Sequence, residues 1–272
     1  MTQEEYLRKI ESVADPLERA RLRVDFVDDY PDATEETILQ VNTDALSDLA
    51  LQPDKLLEAR AYINMSYCYS TLGYFMRSFE YDQKAYSIGV ELGSDKVKAI
   101  TLNNLGNSFN DLGKREEALS HFQRALEINL ANAFGINFLA ANYSNIGSVY
   151  IRNMQYEKAL DHFEQAVVYN EKNENFDWLA ANYVGIAKCL SELGRAEEAI
   201  RLMTDAIKRD EFKQNFYRLS SLYEELAACE MKCGKYTAAI EYLEQSLAVH
   251  GGRYKEDYVK ALNRLADCYH QT

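Results

Sequence analysis

A small side chain returns five times at nearly constant spacing, at Ser66, Gly106, Gly147, Ala187 and Ala227, with intervals of 40, 41, 40 and 40 residues. Its neighbours return with it. An apolar residue stands directly before each (Met65, Leu105, Ile146, Ile186, Leu226), and a Tyr or Leu stands four before (Tyr62, Leu102, Tyr143, Tyr183, Tyr223). Twelve residues on comes a second small residue (Ser78, Ala118, Ala159, Ala199, Ala239), and further along a third (Ala85, Ala125, Ala166, Ala206, Ser246). Small residues fixed in two consecutive helical stretches let helix backbones approach closely, where a bulky group would force them apart. The chain therefore reads as a stack of helix pairs, each burying its apolar face on the next. Gly73, Gly113, Gly194 and Gly234 recur between the paired stretches, where the positive φ open to glycine ends one helix before the next begins.

One copy, Tyr143, Ile146, Gly147, Tyr150, Ala159, Phe163 and Ala166, resembles the signature of the tetratricopeptide repeat family most fully. The resemblance implies an all-α, right-handed superhelical solenoid of antiparallel helix pairs, with the first helix of each pair lining a concave groove. Five repeats are expected at 59–98, 99–139, 140–179, 180–219 and 220–258. Residues 1–58 are expected to form N-terminal helices with a degenerate repeat over 19–58, and 259–272 the first helix of a further repeat or a capping helix. Thr2 with Glu5, and Asp15 with Pro16 and Glu18, are helix-start signals in that N-terminal part. The first full repeat departs from the signature at Asp82, where Phe122 and Phe163 stand in the next two, so its second helix is expected to pack loosely or turn toward solvent. A period near 40, against 34 for the ordinary unit, is similar to that of bacterial signalling sensors and receptors for signalling peptides. Kinesin light chains and polarity adaptors have similar units.

With 43 acidic and 30 basic residues the chain carries a formal charge of −13, which argues against direct nucleic-acid binding, since phosphate contacts need clustered Lys and Arg. The five cysteines are odd in number and sit mostly at core-type helical positions, pointing to buried thiols in a reducing, cytoplasmic setting. Cys229 and Cys233 lie one turn apart but lack neighbours to complete a metal site, so no metal or other cofactor is expected. No apolar run reaches the ~20 residues of a membrane span, and the first ten residues are charged throughout, with neither signal peptide nor anchor. Neither a phosphate-binding glycine loop nor a nucleophile elbow appears, so this chain is read as non-enzymatic. His121 and His162 occupy one place in successive repeats that Tyr81 and Tyr242 fill elsewhere, the mark of a tolerant position.

The groove is the better place for function. Helical spacing puts Asn103 and Asn107 on one face of the second repeat's first helix, and Ser144 and Ser148 on that of the third. One position along, Asn64, Asn104 and Asn145 recur in successive repeats, and Tyr67 lies on the groove face of the first. An amide side chain offers a donor and an acceptor together, suited to the C=O and N–H of an extended backbone. Asparagine ladders hold peptides in similar tetratricopeptide proteins, so the resemblance implies a peptide or protein partner here. A terminal carboxylate is a poor ligand, because Ala181 and Gly185 stand where basic residues would be needed. Phe134, Phe138, Phe176, Trp178 and Phe216 gather at the exits of the second helices and read mainly as packing between repeats. The reading is a cytoplasmic peptide-binding scaffold, the sensory or regulatory part of a bacterial signalling protein. Two alternatives stand beside it: the N-terminal part of a signalling enzyme such as a diguanylate cyclase or kinase, and a purely structural adaptor.

Overall fold

The computed structural model describes residues 1–132, 134–213, 215–250 and 255–271. The exit of the fifth expected repeat at 251–254, the terminal Thr272 and the His250 side chain lie outside the described residues. Every regular element among the described residues is a helix, and these fall into two compact units, Met1–Phe134 and Gly135–Thr272.

The first unit comprises α1 (Gln3–Glu11), α2 (Pro16–Asp29), α3 (Glu35–Leu51), α4 (Lys55–Thr71), α5 (Phe75–Glu91), α6 (Asp95–Asp111) and α7 (Arg115–Asn132). Its starts follow the capping signals. Glu5 N donates to Thr2 Oγ1 at 3.2 Å while Thr2 N donates to Glu5 Oε2 at 2.9 Å, and Glu18 N donates to Asp15 Oδ2 ahead of Pro16. Residues spaced three and four apart turn inward: Ala20 and Val24 of α2, Ala45 and Leu49 of α3, and Leu57 and Ala61 of α4 form one buried cluster. Beside it Arg19 and Arg23 converge on the buried Asp48, with Arg19 Nε donating to its Oδ1 at 2.9 Å. The N-terminal helices thus cover the Leu57–Ala61 face of α4. Tyr62 and Tyr69 are turned away from that face, each packing on Tyr81 of α5, because each residue along a helix rotates about 100° around the axis from the one before.

The second unit comprises α8 (Ile136–Arg152), α9 (Tyr156–Lys172), α10 (Phe176–Glu192), α11 (Ala196–Ala206), the single turn α12 (Asp210–Lys213), α13 (Phe216–Lys232), α14 (Tyr236–His250) and α15 (Lys255–Gln271). Three-residue connections join the paired helices and fold them back antiparallel. The turn glycines Gly73, Gly113, Gly194 and Gly234 have φ of 79°, 73°, 77° and 73°, and in α8–α9 Met154 takes the same left-handed conformation at φ 56°. At the end of the chain Cys268 of α15 packs into a cluster with Ala227, Ala239 and Leu243. Lys260, Asp267 and His270 of α15 are exposed.

One packing position explains the small-residue signature. Asn42, Asp82, Phe122, Phe163, Met203 and Leu243 follow one another at 40 or 41 residues along the second-type helices, and every one is buried. The small residues of the first-type helices make room for them. A Cβ added at Gly106 would come within 2.6 Å of the Phe122 ring, and one at Gly147 within 3.0 Å of the Phe163 ring. Gly185 is equally constrained, its Cβ position lying 2.8 Å from Phe163, so that ring is held between two glycines. Asp82 neither packs loosely nor turns to solvent: it is fully buried, because the register fixes the position inward whichever residue fills it.

Candidate binding site

Exchanging the ring for a carboxylate leaves space. Between α4 and α6, with α5 behind them, lies a polar pocket of about 200 Å³. Ser66, Tyr67, Ser70 and Thr71 of α4 form one wall. Asn104, Asn107 and Ser108 of α6 form the other, and Ser78 and Asp82 of α5 the floor. Helical spacing assembles it, since 67, 70 and 71 share a face of α4 and 104, 107 and 108 share a face of α6.

The floor is strongly structured. Asn104 Nδ2 donates to Asp82 Oδ1 at 3.1 Å, and the Ser66 and Ser78 hydroxyls lie 3.0 Å apart. Asp82 Oδ2 has no hydrogen-bond partner among the described residues although it is buried. Burial pushes the Asp82 carboxyl up to about 7, with the Ser66 and Asn104 side chains acting in the opposite direction. No Lys, Arg or His is among the described residues lining the pocket. Tyr67, 64% exposed, stands at the rim.

Three of the residues expected in the groove, Tyr67, Asn104 and Asn107, meet at this pocket. The others stand apart from it. Asn64 is turned toward the N-terminal helices, its Nδ2 donating to Val24 O at 3.2 Å and to Asn42 Oδ1 at 3.1 Å. Asn103 on α6 and Asn145 on α8 are half-buried and engaged in further interactions. Ser144 is buried rather than presented to a groove, its hydroxyl lying 2.8 Å from both Ala140 O and Asn182 Oδ1, because its face of α8 packs against α10. Ser148 is half-buried and donates to Ser144 O at 2.9 Å. Asp82 itself was the missed residue, along with Ser66, Ser70 and Ser78. Its register with Phe122 and Phe163 was the signal that could have found it.

Elsewhere the reactive groups are quiet. Burial pushes the Cys189 and Cys229 thiols up to about 12 and that of Cys68 up to about 11, so none is a ready thiolate near neutral pH. Among the described residues no three His, Cys, Asp or Glu gather as metal ligands. His121 and His162 each bond the carbonyl four residues earlier at 2.8 Å and pack beside rings of their own repeat, Phe109 and Tyr150 respectively. Trp178 and Phe216 are exposed on α10 and α13.

The model of the tetratricopeptide repeat matches residues 57–131, 138–211 and 218–272, most of the chain. The chain belongs to the tetratricopeptide repeat family. No curated protein matches it. Several solved structures share its fold. A signal transduction ATPase with numerous domains and a tetratricopeptide repeat sensor, from Pyrococcus horikoshii, is similar at a TM-score of 0.73 and 15% identity, over 93% of this chain and 40% of that one. A Rap protein complexed with Competence and Sporulation Factor is similar at 0.67 and 15% identity, over 98% of this chain and 79% of that one. A putative kinesin light chain from Podosopora anserina, with nearly identical repeats of this type, gives 0.60 and 19% identity over 72% of this chain and 96% of that one. At these identities the likeness is one of tetratricopeptide fold. No helix among the described residues is long and apolar enough to cross a membrane.

Proposed function

We propose that this tetratricopeptide chain is a peptide- or protein-binding scaffold, serving in the cytoplasm as the sensory or regulatory part of a signalling protein. The observation that carries the reading is the polar cleft between α4 and α6, where amide and hydroxyl side chains line two neighbouring first-type helices. An extended peptide presents one donor and one acceptor per residue, and such a cleft answers both. Asn103, Asn104 and Asn107 are the backbone-holding residues on α6 and Tyr67 supplies apolar contact on α4. The Rap protein of like fold was solved with Competence and Sporulation Factor bound, which favours a ligand-receiving role for this architecture.

A screen of immobilised random peptides against the wild-type chain, beside Asn104→Ala, Asn107→Ala and the double change Asn104→Ala, Asn107→Ala, tests the reading. Each amide gives at best two neutral hydrogen bonds of about 0.5–1.5 kcal/mol, so a single change at Asn107 is expected to weaken retained peptides roughly two- to a hundredfold. The loss should be similar for peptides of different side-chain sequence, because backbone bonding is nearly sequence-blind. Equal retention by wild type and all variants would place the binding surface elsewhere.

A further inference from the structure

We propose that the Asp82 pocket receives the cationic head of a basic side chain, an ammonium or guanidinium group, carried by a peptide lying between α4 and α6. The inference deepens the peptide-binding reading and rests on it for the source of the cation.

The first argument is an unfilled valence. Buried polar atoms in folded proteins are almost always hydrogen-bonded, and those that are not call for an explanation. Asp82 is fully buried and its Oδ2 has no partner among the described residues. The preceding layer supplies a control. Asn42 occupies the same register, yet its Nδ2 donates to Ile38 O at 2.9 Å and its Oδ1 accepts from Asn64 Nδ2 at 3.1 Å. Both ends of that amide are used and the layer is closed. Asp82 has its own counterpart of the second bond, from Asn104, and the Ser66 side chain acts on its carboxyl, yet Oδ2 keeps no hydrogen-bond partner among the described residues.

Size and charge then select the ligand. Sites for drug-sized molecules span roughly 300–1,000 Å³, whereas this pocket of about 200 Å³ suits a single head group. Its only ionisable lining groups among the described residues are Asp82 and Tyr67, on a chain with a formal charge of −13. An anion would meet a carboxylate with no base to offset it. A cation meets an acceptor, and the remaining N–H groups of an ammonium or guanidinium can reach the oxygens of Ser66, Ser70, Ser78 or Asn107. Tyr67 at the rim offers a ring face along which the aliphatic stem of a Lys or Arg can lie. Burial holds the carboxyl protonated up to about pH 7, and an arriving cation takes the place of that proton.

The test uses the full chain, isotopically labelled, near pH 8. The capped amino acids N-acetylarginine methylamide and N-acetyllysine methylamide are titrated in, with the citrulline analogue as the neutral isostere of arginine. The Asn104 and Asn107 side-chain amide resonances are followed. Expected are saturable shifts with the arginine and lysine compounds, weaker by roughly ten- to a hundredfold with citrulline and in Asp82→Asn, the loss of one charge-assisted hydrogen bond. Ser70→Leu, which narrows the pocket and keeps the carboxylate, should abolish the shifts as well. Equal responses to arginine and citrulline, or an unchanged response in a folded Asp82→Asn chain, overturn the cation site. Peptides with a fixed central Arg, Lys or Gln separate the two levels of the proposal. A preference for Arg or Lys over Gln that is lost in Asp82→Asn supports both. Binding without that preference leaves the peptide reading standing and sinks the pocket's role. Capped amino acids that bind while no peptide does overturn the peptide as the source of the cation.

Discussion

The Phe163 layer and the Asp82 layer sit at the same register and solve the same packing problem in opposite ways. Around Phe163 two glycines, Gly147 and Gly185, withdraw their side chains so that one ring fills the gap. Around Asp82 the facing residue is Ser66, the plug is a short carboxylate, and a polar space of about 200 Å³ remains between α4 and α6. Helix lengths barely differ: α4 and α5, like α8 and α9, each run for 17 residues. A repeat can therefore acquire a pocket by changing its plug while its helices keep their length. The stack needs the position to be inward, and leaves open whether it is filled.

Three comparisons would break or sharpen this contrast. Phe163→Asp, which imposes the polar solution on the closed layer, is expected to cost the most. Losing a buried Phe side chain costs about 3–5 kcal/mol, and an unpaired buried carboxylate adds to it. Urea unfolding would read this as a large fall in midpoint. A loss below about 1 kcal/mol would mean that the two layers are interchangeable and the glycines incidental.

Next in size is the pH response of the open layer. Asp82 has its folded pKa raised from 3.8 to about 7, so its stabilising contribution is complete below about pH 4 and is lost as pH rises through about 7. Above that range the folded chain bears a buried charge which the unfolded chain carries in water. Relative to wild type, Asp82→Asn should gain stability progressively between about pH 4 and pH 7, by up to about 4 kcal/mol at about 1.4 kcal/mol per unit. Parallel denaturation curves for the two proteins across that range, with a constant gap, would show that Asp82 is effectively solvated.

The smallest effects compare like positions. Gly106→Ala pushes a methyl to within 2.6 Å of the Phe122 ring and should cost about 1–3 kcal/mol by overpacking. Ser66→Ala at the same register already has its Cβ accommodated and loses the hydroxyl that meets Ser78 and acts on Asp82, worth about 1 kcal/mol. Thermal melts of both should rank them in that order. The reverse ranking would mean that Phe122 yields readily and that the polar layer is the tighter of the two.

The helical repeat architecture was legible because a 40-residue period with paired small residues leaves few other ways to bury an apolar face. Gly73 and Gly113 marked turns that the structure places where expected, while the third turn was missed by that signal because Met154 adopts the glycine-like conformation. The candidate site was legible in part. Tyr67, Asn104 and Asn107 came from helical spacing and repeat register together with the groove that the family resemblance implies. Asp82 was misjudged because an isolated Asp reads as a surface residue, although its alignment with Phe122 and Phe163 carries the stronger information. Asn64 and Ser144 turn on contacts with helices 22 and 38 residues away, to Asn42 and Asn182, which a pattern along one helix does not contain.

The matched plugs also bear on how the chain avoids assembling out of order. Repeats of similar sequence invite a helix to dock on the wrong neighbour, a hazard of arrays built from near copies. A Gly106-type helix set against an Asp82-type helix would enclose a larger void, with no ring to fill it and no Ser66 hydroxyl to line it. A Ser66-type helix set against a Phe122-type helix would drive its side chain into the ring, since even a bare Cβ at Gly106 lies 2.6 Å from it. Both exchanges are penalised, one by emptiness and the other by collision. Differences among the repeats thus act as addresses, letting each helix discriminate its proper partner from the look-alikes on either side.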